Sequence, residues 1–143
     1  MRIRSAAMAD PDCLFCKIVA GDIPATKVHE DDRTIAFMDI NPATRGHLLC
    51  IPKEHAANIH AISEEDLYAV ARTAKAMAGR VTDRLGADGV NVLQSTGAAA
   101  WQTVFHYHVH VIPRYEGDPL RLPWDPGRGG DMDEINATAE RLK

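Results

Sequence analysis

Three histidines alternate with apolar or aromatic residues late in the chain, in the run His106-Tyr107-His108-Val109-His110-Val111-Ile112. In an extended strand successive side chains point to opposite faces. The three imidazoles then stand in a row on one face, about 6.6 Å apart along the strand, with Tyr107, Val109 and Val111 on the other. Imidazole is the side chain whose ordinary pKa lies nearest neutrality, so it can act there as nucleophile, base or metal ligand. Three in a row among apolar neighbours are costly unless each finds a polar partner. The flanking Val104, Phe105, Val109, Val111 and Ile112 read as a strand buried on both sides, which argues against a merely solvated histidine face.

The elements that must position this row can be read from the apolar pattern. Cys13 to Ala20 is a short helix ended by Gly21. Thr26–Glu30 is extended, with a turn at Asp31-Asp32. Thr34–Asp39 is a strand broken by Asn41-Pro42, and His47–Ile51 is a strand stopped by Pro52. Ser63 caps a helix that opens on Glu64, Glu65 and Asp66. Its apolar face is Leu67, Val70, Ala71, Ala74, Met77, Ala78, Val81 and Leu85, and Gly86 stops it. Gly89–Ser95 and Val104–Pro113 are two more strands, joined by a Gly/Ala-rich loop. Beyond Arg114 the pattern dissolves into a Gly- and Pro-rich loop, with a terminal helix over Asp133–Leu142. The fold class is α+β: a five-stranded antiparallel sheet carrying one long helix, with a short N-terminal helix beside it. The divisions are an N-terminal extension over 1–11 expected to be flexible, a domain over 12–116, and a C-terminal loop and helix over 117–143.

Composition narrows the function classes. The chain has 143 residues, a natural length for one domain with a sizeable core. Its net charge of −4 and the lack of any Lys/Arg cluster argue against binding a nucleic acid polymer, though not a single nucleotide. No apolar run approaches the ~20 residues of a membrane helix. Met1 to Asp10 has two arginines but no continuous apolar stretch, and does not read as a signal peptide. Three cysteines, two of them as Cys13-x-x-Cys16, make no disulfide framework, which fits a reducing cytoplasm. Cys-x-x-Cys alone is open to zinc binding or to a redox pair. Cys50, in an apolar strand, reads as a small buried hydrophobe. His29 and His60 belong to no motif.

The triad run resembles the signature His-φ-His-φ-His-φ-φ of the histidine-triad (HIT) superfamily of nucleotide hydrolases and transferases. Cys13-Leu14-Phe15-Cys16-Lys17-Ile18, Ala36-Phe37-Met38-Asp39-Ile40, Gly46-His47-Leu48-Leu49-Cys50-Ile51-Pro52-Lys53-Glu54-His55 and Gln102-Thr103-Val104-Phe105 resemble segments of its bacterial Hint-like branch, in the same order. The similarity runs from about Asp12 to Arg114. It implies a HIT-like sheet that continues across a homodimer, with a purine nucleotide as substrate. His108 would attack the α-phosphorus and form a nucleotidyl-imidazole intermediate that water hydrolyses. His110 would hold phosphate oxygens, and Gln102 and Thr103 would donate to the scissile bridging atom and a non-bridging oxygen. Asp39 would accept the ribose hydroxyls, with Phe15, Ile18, Phe37 and Ile40 around the base and Ser95 near the phosphate.

A Hint-like subset also carries zinc at the positions of Cys13, Cys16, His55 and His106, a suitable tetrahedral Cys2His2 set; two reduced cysteines in a small core are the other reading. The chain departs from many relatives at Ser95-Thr96, where Asn is frequent, and at Trp101, where Gly is frequent. The reaction implied is that of a nucleotide phosphoramidase or nucleotidyl hydrolase. Dinucleoside polyphosphate hydrolysis, as in Fhit-like relatives, and nucleotide binding with little catalysis are the alternatives.

Overall fold

The structure, a computed structural model, describes residues 9–143. Most of the extension expected over 1–11 lies outside the described residues. The order of elements is α1 (Leu14–Ala20), β1 (Lys27–Glu30), β2 (Thr34–Met38), β3 (Leu48–Pro52), α2 (Glu64–Leu85), β4 (Gly89–Gln94), β5 (Val109–Arg114) and α3 (Met132–Leu142), with a short 3-10 turn at Ala98–Ala100. The strands form one antiparallel sheet in the order β1-β2-β3-β5-β4. The α+β class and five-stranded sheet expected from the sequence are therefore present.

Strand alternation divides the sheet into two faces. Phe37, Leu49 and His110 stand opposite one another across β2, β3 and β5. Their neighbours Ala36, Cys50 and Val109 face the other way and pack beneath α2, together with Leu48, Tyr107 and Val111. α2 contributes Val70, Ala74, Met77 and Val81 to that core. Ser63 caps it by accepting the Asp66 N–H, and Gly86 closes it in the left-handed conformation. Ala71, expected on the apolar face, is exposed. Thr73 takes its place inside, and its hydroxyl bonds that of Thr34 at 2.7 Å, satisfying both polar groups. Opposite α2, the helix α1 covers the second face, where Phe15, Cys16 and Ile18 pack against Ile35, Phe37, Leu49 and Ile51.

Two details bear on the site. The last strand begins at Val109 rather than at Val104, as the sequence pattern predicts. Residues 104–108 are irregular because their backbone bonds elsewhere: the Tyr107 N–H goes to Ala56 O at 2.6 Å, outside any strand ladder. The turn into β3 depends on Gly46, whose φ is +91°. A β-carbon there would lie 2.5 Å from Leu85 Cδ1 and 3.1 Å from Pro113 Cγ, so neither the dihedral nor the space admits a side chain. Among the described residues no helix is long and apolar enough to cross a membrane.

Candidate active site and metal centre

Although 104–108 is not a strand, the alternation survives. Tyr107 enters the core beneath α2, while His106, His108 and His110 stay on the α1 face. His106 is fully buried and His108 is 5% exposed. Each imidazole has its polar partner. His108 Nδ1 is 2.7 Å from His106 O, and only an N–H can donate to that carbonyl. The neutral ring therefore carries its proton on Nδ1 and leaves a lone pair on Nε2. Phe15 packs edge-on against the same ring at 5.2 Å between centroids.

His110 is governed by a residue the sequence reading treated only as the start of a strand. The Ala43 N–H donates to His47 Nδ1 at 3.0 Å. His47 is thus protonated on Nε2, which lies 2.9 Å from His110 Nδ1 and 3.4 Å from Asp39 Oδ2. His110 accepts there, so its own proton sits on Nε2. Asp39, His47 and His110 have a spacing compatible with a metal ion, but the hydrogen bonds argue otherwise. A metal on His47 Nε2 would require a proton on Nδ1, where the Ala43 N–H already points. His47 and His110 form a hydrogen-bonded pair, with the Asp39 carboxylate 3.4 Å from His47 Nε2. The alternation 47, 49, 51 could have placed His47 on the face of the triad, had the pairing of Leu49 with His110 been known.

Burial keeps these rings neutral. Desolvation pushes His108 below the ordinary histidine range against the raising effects of the His106 carbonyl and Asp39. It pushes His110 down to about 4, helped by His108 and His47. His47 is lowered by burial too, with Asp39 opposing. At neutral pH the site thus offers an unprotonated nitrogen on His108 and an N–H donor on His110.

The other expected residues divide. Phe15, Ile18 and Phe37 come together in one cluster beside the histidines, whereas Ile40 stands outside it, 91% exposed. Asp39 receives the Asn41 N–H on Oδ1 and faces His47 with Oδ2. Gln102 has a different occupation from the one expected. Its amide donates to Ala57 O at 2.6 Å and Val104 O at 3.1 Å, and its Oε1 accepts the Gly97 N–H at 2.7 Å. Both amide hydrogens are used, so Gln102 fastens the loop before the triad; Thr103 beside it is exposed. Ser95 is buried and lines a cleft of about 910 Å³ together with Trp101, Leu93, Leu122 and Trp124. Trp101 has φ +74°, a left-handed conformation that glycine adopts without strain.

Cys13, Cys16, His55 and His106 converge, with one ligand atom from each lying within 4.8 Å of the others. Cys13 Sγ is 3.4 Å from His106 Nδ1, and Cys16 Sγ is 3.4 Å from His55 Nδ1 and 3.5 Å from His106 Nδ1. The surrounding bonds suit zinc. His106 Nε2 lies 2.8 Å from Pro52 O, to which it donates, leaving Nδ1 free of its proton for a metal. Cys13 Sγ accepts the Cys16 N–H at 3.4 Å. The sulfur and nitrogen donors are those of structural zinc sites. His55 is brought there by segment 53–57, which bonds through Ala56 O to Tyr107 and through Ala57 O to Gln102.

An antiparallel sheet with a row of tautomer-locked histidines on the face opposite its long helix defines a histidine-triad architecture. The HIT domain family matches residues 20–117, and the chain belongs to that family. It is 40% identical over 137 residues to "Protein hit" of Bacillus subtilis, covering 92% of this chain and 94% of that one. It is 42% identical over 131 residues to the adenosine 5′-monophosphoramidase hnt1 of Schizosaccharomyces pombe, covering 91% and 95%. A Zn-bound histidine triad family protein from Mycobacterium smegmatis superposes with a TM-score of 0.75 at 39% identity, covering 92% and 95%.

Proposed function

We propose that this protein is a phosphoramidase or nucleotidyl hydrolase acting on purine nucleoside monophosphates that carry an amine or phosphoryl leaving group. The observation that carries the reading is the opposed pair of tautomers: a lone pair on His108 Nε2 and a proton on His110 Nε2, each set by a neighbouring hydrogen bond. His108 Nε2 attacks the α-phosphorus, forming a P–N bond as the bond to the leaving group breaks. The His110 N–H supports the charge that develops on a phosphate oxygen. Water then attacks the phosphorus, the P–N bond breaks, and the nucleoside monophosphate leaves with His108 restored. Asp39 accepts ribose hydroxyls, the Phe15–Ile18–Phe37 cluster backs the base, and exposed Ile40 is available to cover it. The relatives' assigned activity and the family match support the same class.

Zinc at Cys13, Cys16, His55 and His106 ties α1 to the segment before the triad. A second copy of the chain covers the edge strand β4, which is paired on one side only and exposes Val92 and Leu93. Such an edge is a template for another strand. A reading as a nucleotide-binding protein with little turnover has one observation behind it, the engagement of both Gln102 amide hydrogens.

The deciding experiment follows AMP release from adenosine 5′-phosphoramidate, an adenylated lysine and a diadenosine polyphosphate by wild type and His108→Ala. Release by wild type, reduced about a thousandfold or more in the variant, is expected, and the preferred substrate identifies the leaving group. Intact nucleotide binding without release would move the assignment to a binding protein.

A further inference from the structure

His106 belongs to two sites at once. Its ring stands among the two cysteines, with Nδ1 3.4 Å from Cys13 Sγ and 3.5 Å from Cys16 Sγ. Its backbone carbonyl holds the Nδ1–H of His108 at 2.7 Å. The residue is fully buried and its ring is also held from the far nitrogen by Pro52 O. A second connection runs through α1. Phe15 lies between the two cysteines in sequence, and its ring meets His106 at 5.9 Å and His108 at 5.2 Å, edge-on in both cases. Both paths from the cysteine–histidine cluster end on the same imidazole.

We propose that the Cys13–Cys16–His55–His106 centre is a positioning device for the nucleophile: a metal held there fixes the His106 carbonyl and the Phe15 ring, and through them keeps His108 in the tautomer that leaves Nε2 unprotonated. The proposal rests on the zinc reading of the centre and assigns it a consequence beyond fastening the fold. α1 has only seven residues, and a helix that short has little stability of its own. Sulfur–imidazole hydrogen bonds are weak, so coordination bonds would be the stiffest connection between α1 and residue 106. The tautomer of an imidazole is chosen by what its other nitrogen bonds. When the carbonyl of His106 moves off line, the His108 proton is free to occupy Nε2, the atom that must attack. His55 reaches the cluster through Cys16 Sγ at 3.4 Å and through its ring contact with His106 at 5.2 Å. A change at His55 therefore reaches His108 through the centre, without touching the groups of the phosphate site.

The test uses the full chain, zinc-loaded and zinc-stripped, as wild type, His55→Ala and His55→Cys, with 15N-labelled histidine. Metal content is measured directly, the imidazole 15N shifts report each tautomer, and circular dichroism checks the fold. The expected result is one zinc per chain in wild type and in His55→Cys, which retains four ligands as a Cys3His set. In both, His108 shows a single Nδ1–H tautomer. In stripped wild type and in His55→Ala the His108 signals report mixed tautomers, and kcat falls about tenfold with KM unchanged. Zinc bound but His108 signals identical with and without it would overturn the coupling while leaving the zinc reading intact. No zinc bound by wild type would overturn the zinc reading and the proposal with it. Should stripping disturb the whole fold, His55→Ala with native circular dichroism decides by the same two spectra.

Discussion

The two faces of one sheet are made by alternate residues of the same segment and are held together by different physics. Toward α2, Tyr107, Val109 and Val111 join Ala36, Leu48, Cys50 and the helix residues Val70, Ala74, Met77 and Val81 in a core of apolar side chains. There the requirement is volume: burial stabilises roughly in proportion to area, without direction. Toward α1, His106, His108 and His110 each need a named partner, namely Pro52 O, His106 O and His47 Nε2. There the requirement is direction, because each partner decides which nitrogen holds the proton. The first face should therefore fail by unfolding, and the second by losing chemistry while the fold persists.

The largest effect is expected on the apolar face. Met77 is 1% exposed at the centre of the α2 core, and Met77→Ala should cost about 2–5 kcal/mol in urea unfolding. In the folded protein, well below its melting point, kcat should be unchanged. A kcat loss under those conditions would break the separation between the faces. The converse change is His47→Ala. It removes the donor to His110 Nδ1 and lets the His110 proton move to that nitrogen. A loss of about a hundredfold in kcat/KM is expected, with nucleotide binding retained. Equal activity in the variant would show that catalysis does not depend on the His47–His110 hydrogen bond.

The same contrast explains what could be read in the sequence. Much of the apolar face was legible, since the three- and four-residue steps of α2 carry it; Ala71 is exposed instead, and Asp66, Ala69 and Thr73 are buried, Thr73 through a hydroxyl pair that no periodicity encodes. The histidine row was legible as a row. Its backbone was not, because Tyr107 bonds Ala56, a partner 51 positions away that an apolar pattern cannot reveal. The backbone partners of Gln102 and the pairing of His47 with His110 were not legible for the same reason. Whether an amide faces a substrate or a backbone carbonyl, and whether a histidine beside a strand meets another histidine, depends on contacts between distant segments.

Lowering the pH should separate the faces more gently. His110 is depressed from the ordinary 6.5 to about 4, and His47 is lowered as well, chiefly by burial. Below pH 6.5 the unfolded chain binds protons that these native rings refuse. Stability then falls as pH falls, by up to about 1.4 kcal/mol per pH unit for each such group within its window, and is unaffected by them above it. Cys50 and Tyr107 on the α2 face are raised by burial, Cys50 to about 12, and contribute nothing in this range. Urea midpoints between pH 7.5 and 5 should therefore keep the same slope in Met77→Ala and lose one group's share in His110→Asn. A slope unchanged in His110→Asn would place the acid sensitivity elsewhere.

The smallest effect is expected at Trp101, which lies on neither packed face and is 74% exposed. Its left-handed φ of +74° costs a residue with a β-carbon about 1–2 kcal/mol. Glycine removes that strain but loses about 0.5–1 kcal/mol to the greater freedom of its unfolded chain. Trp101→Gly should accordingly stabilise by about 1 kcal/mol or less, a shift near the limit of what urea midpoints resolve. The ring lines the cleft shared with Leu122 and Trp124, while the hydrogen bonds that set the histidine tautomers come from Ala43, His47, Pro52 and His106. Turnover of unsubstituted adenosine 5′-phosphoramidate should thus stay within about threefold of wild type, a change of under 1 kcal/mol in the barrier. A tenfold loss would mean that the loop from Gly97 to Gln102 holds the triad in place, and that the directional face extends past the sheet into it.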